Sequence, residues 1–289
     1  MLIRICLFAA YQRNDVNSRV QLICLIVQNV VQILLLLLFK NYYIYAVIIP
    51  IFTITTNVAI AFLAKKTYPQ FSCKGTLTKE TKSDLKEKVV GLMVAKILVT
   101  IRSSIDSLFV SLFLGLMQVA IYSNYFYIAT AVSGLILIIE PALVAGVGNS
   151  LVTESKEKNH NDMLKFTFIL QWIVSFCAIC VLCLTQPFMN LWVGQECMLN
   201  DAMALLCAIY VFVIGICLIR SIYTQALGLW WKFKLLSLVD VFVNVILNYF
   251  LGKYFGAYGI LAATIVDIAF VSMPWATYIF LKFFWKTIF

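Results

Sequence analysis

Charged residues are scarce in this chain. Asp, Glu, Lys and Arg make up only 12% of its 289 residues, against about 25% in a soluble globular domain. Histidine occurs once, as His160 in the polar turn NHND. No serine–histidine–acid set and no glycine-rich phosphate loop can be assembled, so soluble-style catalysis is excluded and no catalytic residue is assigned. Long polar runs are also lacking. The longest is 65–88, KKTYPQFSCKGTLTKETKSDLKEK, and the other loops are too short to form an extramembrane domain. A disulfide framework is not implied either. Of nine cysteines, Cys6, Cys24, Cys177, Cys180, Cys183, Cys207 and Cys217 lie in apolar stretches, where small polarisable side chains pack well. CAICVLC at 177–183 has metal-like spacing, but thiols buried in an apolar helix without a nearby histidine stay protonated. No metal site and no cofactor is expected.

What is present is apolar. Hydrophobic residues reach 63% and mean hydropathy is +0.97. A bilayer accepts only helices or closed barrels. Barrel strands would alternate apolar and polar over about 10 residues, whereas these segments are apolar all round for about the 20 residues that a spanning helix needs. The expected fold is therefore an all-α integral membrane protein of about eight transmembrane helices, at 20–39, 42–64, 89–114, 118–140 (running on toward 152), 164–186, 201–223, 235–251 and 257–281. Pro50 and Pro274 predict kinks. The aromatics at 122–127 lie where an interfacial belt is expected. The opening MLIRICLFAA is too short to span and has no small-residue cleavage site after it, so it reads as the tail of an earlier span.

The net charge of +9 reflects positive-inside loops rather than nucleic-acid binding. With the 65–88 loop in the cytoplasm, the N-terminus, the 153–163 loop, the 230–234 turn and the C-terminus share its side. That side collects 18 of the 22 basic residues, counting Arg220 near the end of its span, and the opposite side gets Lys40 and Lys253.

Lys96 and Arg102 lie inside the 89–114 span. On a helical wheel they fall with Ser103, Asp106 and Ser107 within about 140° of arc, so one polar stripe is expected, with Arg102 and Asp106 paired four residues apart. Counting depth from the turn near Met117 pairs Lys96 with Glu140. Counting from Trp230 pairs Arg220 with Asp240. Asp240, Asn244 and Asn248 recur every four residues, and Asp267 lies near mid-depth in the final span. Each such charge costs about 2.5–3.5 kcal/mol at a span's centre. Either they tie helices together, or they line a cavity whose basic members favour an anionic substrate. The candidate substrate-binding residues are Lys96, Arg102, Asp106, Glu140, Arg220, Asp240, Asn244 and Asp267.

An ordered set of segments carries a resemblance: YPQF at 68–71, LTKETKSDLKEKVVGLMVAKI at 77–97, SSIDSLFVSLFLGLMQVAIYSNYFYI at 103–128, GN at 148–149, LWVGQE at 191–196, TQALGLWWKFK at 224–234 and NVILNYFLGKYFGAYGILAAT at 244–264. Together they resemble bacterial Wzx-type polysaccharide flippases, of the superfamily that also holds multidrug and lipid II exporters. The resemblance implies two six-helix lobes around a central cavity. Here 89–289 would be a complete C-terminal lobe, 65–88 a basic cytoplasmic linker and 1–64 the last two helices of an N-terminal lobe. It also implies an undecaprenyl-diphosphate-linked oligosaccharide, translocated across the bacterial inner membrane, with membrane lipids, a polysaccharide polymerase and chain-length proteins as further partners. Three alternatives remain: a non-transporting remnant or assembly partner, a membrane-embedded polymerase, and a drug or small-cation exporter. The last would require an acidic cavity.

Overall fold

The computed structural model describes residues 8, 11, 13–69 and 78–288. Most of the N-terminal apolar run, and 70–77 of the basic stretch, lie outside the described residues. The described chain is helical, with no strand among the described residues. It divides into two compact units, Met1–Leu77 and Thr78–Phe289.

The first unit is a helical hairpin of α1 (Asn14–Phe39) and α2 (Tyr42–Thr67). Lys40 turns the chain in the left-handed region, at φ 48°, and the Asn41 side chain accepts from the Tyr43 amide to cap α2. Gln32 is the one interior polar group described in the hairpin, 3% exposed, and its Nε2 donates to the Tyr45 carbonyl at 3.2 Å. Leu37 (69% exposed) and Phe62 (68%) point outward. Such a surface needs lipid as its solvent.

The second unit begins with α3 (Lys79–Leu114), N-capped by the Thr78 hydroxyl. The helix thus starts inside the basic stretch that the sequence reading treats as a loop. Gly115, at φ 82°, turns α3 into α4 (Leu116–Leu137). The helix is interrupted at Ile138, whose backbone stays helical, and resumes as α5 (Ile139–Thr153). Next come α6 (Lys156–Trp192), capped by the Ser155 hydroxyl, then α7 (Asp201–Ile216) and α8 (Leu218–Ala226), separated by a break at Cys217. α9 (Lys234–Asp267) leads through a π segment, Ile268–Ser272, into α10 (Met273–Ile288). The π segment immediately precedes Pro274. Proline lacks the N–H that would continue the ladder, and a π turn is a common way to absorb such a break.

Seven helical stretches among the described residues are long and apolar enough to cross a membrane, the last being Lys234–Lys282. That last stretch is itself a hairpin. Gly256 has φ 61° and ψ −138°, which glycine adopts without a Cβ penalty, and the two arms run back along each other. A Cβ placed on Gly259 would lie 2.0 Å from the Leu251 carbonyl oxygen. The second unit therefore makes six passes and the chain about eight, as expected from its hydropathy.

The aromatic expectation is corrected. Tyr122 is 1% exposed and Tyr125 0%, so they are core residues rather than a belt. Among the tyrosines of that segment, Tyr127 alone faces outward, beside Trp192, with ring centroids 6.4 Å apart. The Tyr125 hydroxyl donates to Gln186 Oε1 (2.9 Å) and accepts from the Leu199 amide (2.9 Å), tying the 193–200 connection to α4 and α6.

Candidate functional site

The charged residues of α3 meet the α9 hairpin in its interior. Asp106 on α3 is 5% exposed, and its carboxylate is held by both arms. Oδ1 accepts from Asn248 Nδ2 at 2.8 Å, and Oδ2 accepts from Thr264 Oγ1 at 2.9 Å. Asn244 closes the ring: its Nδ2 donates to Thr264 Oγ1 (3.2 Å) and its Oδ1 accepts from Asn248 Nδ2 (3.0 Å). Asn244 and Asn248 are four residues apart and hence on one face. Thr264 faces them because the turn at Gly256 folds the second arm back.

Arg102 lies one turn before Asp106 but does not pair with it. Its NH2 is 2.8 Å from Oδ2 of Asp267, whose side chain is fully buried at the end of α9. This overturns the expected Arg102–Asp106 pair. Asp106 is already satisfied by two neutral donors, whereas Asp267 has no other partner among the described residues. Asp240 accepts from Ser272 Oγ, across the hairpin from the first arm to the π segment.

Two further expectations are corrected. Glu140 does not pair with Lys96. One of its carboxylate oxygens accepts from Ser221 Oγ at 2.5 Å and from Gln225 Nε2, joining α5 to α8. Depth counted from the Met117 turn matches the two residues in height but says nothing about the direction in which each side chain points. Arg220 does not pair with Asp240. Its NH1 donates to the Met273 carbonyl (3.2 Å) and to Thr277 Oγ1 (3.3 Å), both on α10.

Lys96 is exposed and makes no ion pair among the described residues. It shares a face with Thr100 and Ser104, at successive intervals of four, and with Ile97 and Leu108 these form a shallow, open groove lined by α3 alone among the described residues. Arg102 lies about 120° round the helix. The single stripe anticipated from the wheel is thus two sites on one helix, a packed one and an open one.

The packed site brings together Arg102, Asp106, Asp240, Asn244 and Asp267 from the sequence reading. It adds Asn248, whose spacing was legible, and Thr264 and Ser272, for which the sequence offers no signal beyond their place opposite the asparagines. Three carboxyl groups surround one guanidinium, so the interior is acidic on balance, contrary to the expectation of a basic one. Oδ1 of Asp267, Oδ1 of Asp240 and Oδ1 of Asn248 are buried and accept no hydrogen bond among the described residues.

Compared with known proteins, the chain matches no family model, no curated protein and no solved structure. Fold and site define a class: a multi-pass α-helical membrane protein with a buried polar cluster tying α3 to the α9 hairpin, and an exposed lysine on the opposite part of α3.

Proposed function

We propose that this chain is a carrier rather than an enzyme, and that it translocates an undecaprenyl-diphosphate-linked oligosaccharide across the bacterial inner membrane for surface polysaccharide synthesis. The observation that carries the reading is Lys96: an ammonium in an apolar span, exposed on an open face of α3, with no carboxylate against it among the described residues. A charge at that depth is costly and makes physical sense if an anion visits it. A diphosphate is such an anion, and lysine meets it as a point charge. Arg102 is committed to Asp267, so its share in substrate binding would be indirect, through the position of α3. The lysine and arginine distribution supports cytoplasmic N- and C-termini. Polymerase and chain-length proteins are the natural consumers of the product.

The test is binding by the purified chain in proteoliposomes. Wild-type protein should retain a polyprenyl diphosphate, and Lys96→Gln should weaken retention about tenfold, equivalent to about 1.4 kcal/mol. Equal retention by both would sink the reading. Orientation is tested in intact cells with an impermeant thiol reagent, which should reach Cys197 and miss Cys73.

A second reading, export of an organic or small cation, is favoured by the acidic balance around Arg102. It predicts saturable uptake of a cationic dye, per folded protein, that Arg102→Met with Asp267→Leu reduces and Lys96→Gln does not.

A further inference from the structure

Arg220 makes no direct contact with the residues of either α3 site among the described residues, although Asp240 lies near enough to feel its charge. A cavity of about 180 Å3 is enclosed by α6, the α7–α8 break and α10, with Thr167, Ile219, Arg220, Met273, Thr277 and Phe280 among its walls. The two groups that Arg220 NH1 contacts, the Met273 carbonyl and the Thr277 hydroxyl, are both neutral. No carboxylate lies within ion-pair distance of it among the described residues. A guanidinium has five donor hydrogens. The Nε and NH2 groups of Arg220 donate to no described residue, and neither is among the buried atoms left without a partner. Those two groups are the ones that fork onto a phosphate.

The depth fits as well. Arg220 is six residues from the end of α8 at Ala226, about 9 Å at about 1.5 Å per residue. Thr167 lies at the start of the apolar part of α6, two residues beyond Lys165, the last charged residue of its polar end. The cavity therefore sits about where headgroups give way to acyl chains, on the membrane side bordered by the short α5–α6 and α8–α9 connections. Its remaining walls, including Ile219 and Phe280, are apolar.

We propose that this cleft binds an anionic glycerophospholipid of that leaflet. Arg220 grips the phosphate through Nε and NH2, and an acyl chain lies along Ile219 and Phe280. Basic pockets between membrane helices are a recognised way to hold such headgroups. The site is independent of the transport reading: it needs neither Lys96 nor a polyprenyl substrate.

The experiment uses the full chain, purified in detergent, stripped of lipid and titrated with phosphatidylglycerol or phosphatidylcholine under native mass spectrometry. Wild-type protein should hold phosphatidylglycerol about tenfold more tightly. R220Q should lose that preference and R220K keep part of it, with folding followed by melting temperature. A folded R220Q that keeps the full preference overturns the proposal. In case R220Q does not fold, a phosphatidylglycerol with a photoreactive headgroup is crosslinked to the wild-type chain. Adducts should map to 163–167 and 277–280, and adducts confined elsewhere refute the site. Displacement of the lipid by inorganic phosphate at equal concentration would assign the site to free phosphate. Stronger retention of polyprenyl diphosphate than of phosphatidylglycerol would assign it to the transported lipid. Either result overturns the phospholipid assignment.

Discussion

Two faces of α3 carry charge in opposite ways. On one, Arg102 and Asp106 are drawn into the α9 hairpin, each against a group of matching character: a buried carboxylate for the guanidinium, and an amide and a hydroxyl for the carboxylate. On the other, Lys96 lies in the same apolar span without such a partner among the described residues, on an open face of the helix. A charge with fixed, complementary neighbours is part of the architecture, because removing one side leaves the other buried and unsatisfied. A charge with none is available to something that comes and goes. Composition cannot distinguish the two, since both are basic residues in one hydrophobic helix. Only the direction of each side chain does.

The largest effect should follow from breaking the packed side at Asp267. Asp267→Asn removes the one carboxylate in contact with Arg102 and leaves a largely buried guanidinium with no direct ion-pair partner, only the more distant Asp106 and Asp240. Losing one partner of a buried pair costs about 3–5 kcal/mol. We expect a strong drop in melting temperature of the purified protein and in its membrane abundance. A variant as stable as wild type would show that the contact does not hold α3 to the hairpin.

Next in size is Asp106→Asn. The carboxylate accepts two donors, one on each oxygen. An amide keeps one acceptor and turns an N–H either toward the Asn248 amide N–H or toward the Thr264 hydroxyl, which already accepts from Asn244. Leaving such a buried donor unsatisfied costs about 1–3 kcal/mol. Asp106→Asn with Asn248→Asp should recover part of that loss, because the acceptor then sits on the other helix. Denaturation of the three variants in one detergent checks this, and no recovery would mean that Asp106 does not depend on Asn248.

How far these partners were legible in the sequence has a physical explanation. Hydropathy alone marks the spans, because the lipid-facing surface must be apolar whatever the helices do inside. The face shared by Asn244 and Asn248 follows from the helical period. Pair partners do not follow, because depth counted from a turn fixes height and says nothing about azimuth. Lys96 and Glu140 match in height, yet Glu140 points to Ser221 and Gln225 on α8. The Arg102–Asp267 contact required the positive φ at Gly256, which brings the far arm of α9 back to α3. The burial of Tyr122 and Tyr125 was hidden for the same reason: an aromatic near a membrane face looks alike in sequence whether it points to headgroups or into the core.

A smaller net effect is expected from replacing the whole packed pair. Arg102→Met with Asp267→Leu removes both charges and leaves neither buried alone. Apolar replacement of a buried pair is often neutral or stabilising. The double variant should therefore be clearly more stable than Asp267→Asn, and a cycle with the two single variants should show coupling of at least about 1 kcal/mol. Additive losses would break the comparison from the packed side.

The smallest effect on stability is expected at Lys96. Its side chain is exposed, and no partner charge depends on it among the described residues. Lys96→Ala should change stability by no more than about 0.5 kcal/mol, the usual range for surface positions, and alanine is the best helix former. Melting temperature and membrane abundance should match wild type, while retention of polyprenyl diphosphate falls. Lys96→Arg should keep most of that retention, since the positive charge is preserved. The two faces would cease to differ if Lys96→Ala destabilised the protein as much as Asp267→Asn. That outcome would make Lys96 a packing residue whose partner lies outside the described residues. A normal melting temperature with unchanged retention would instead leave the exposed lysine without a ligand and remove the main support for an anionic substrate.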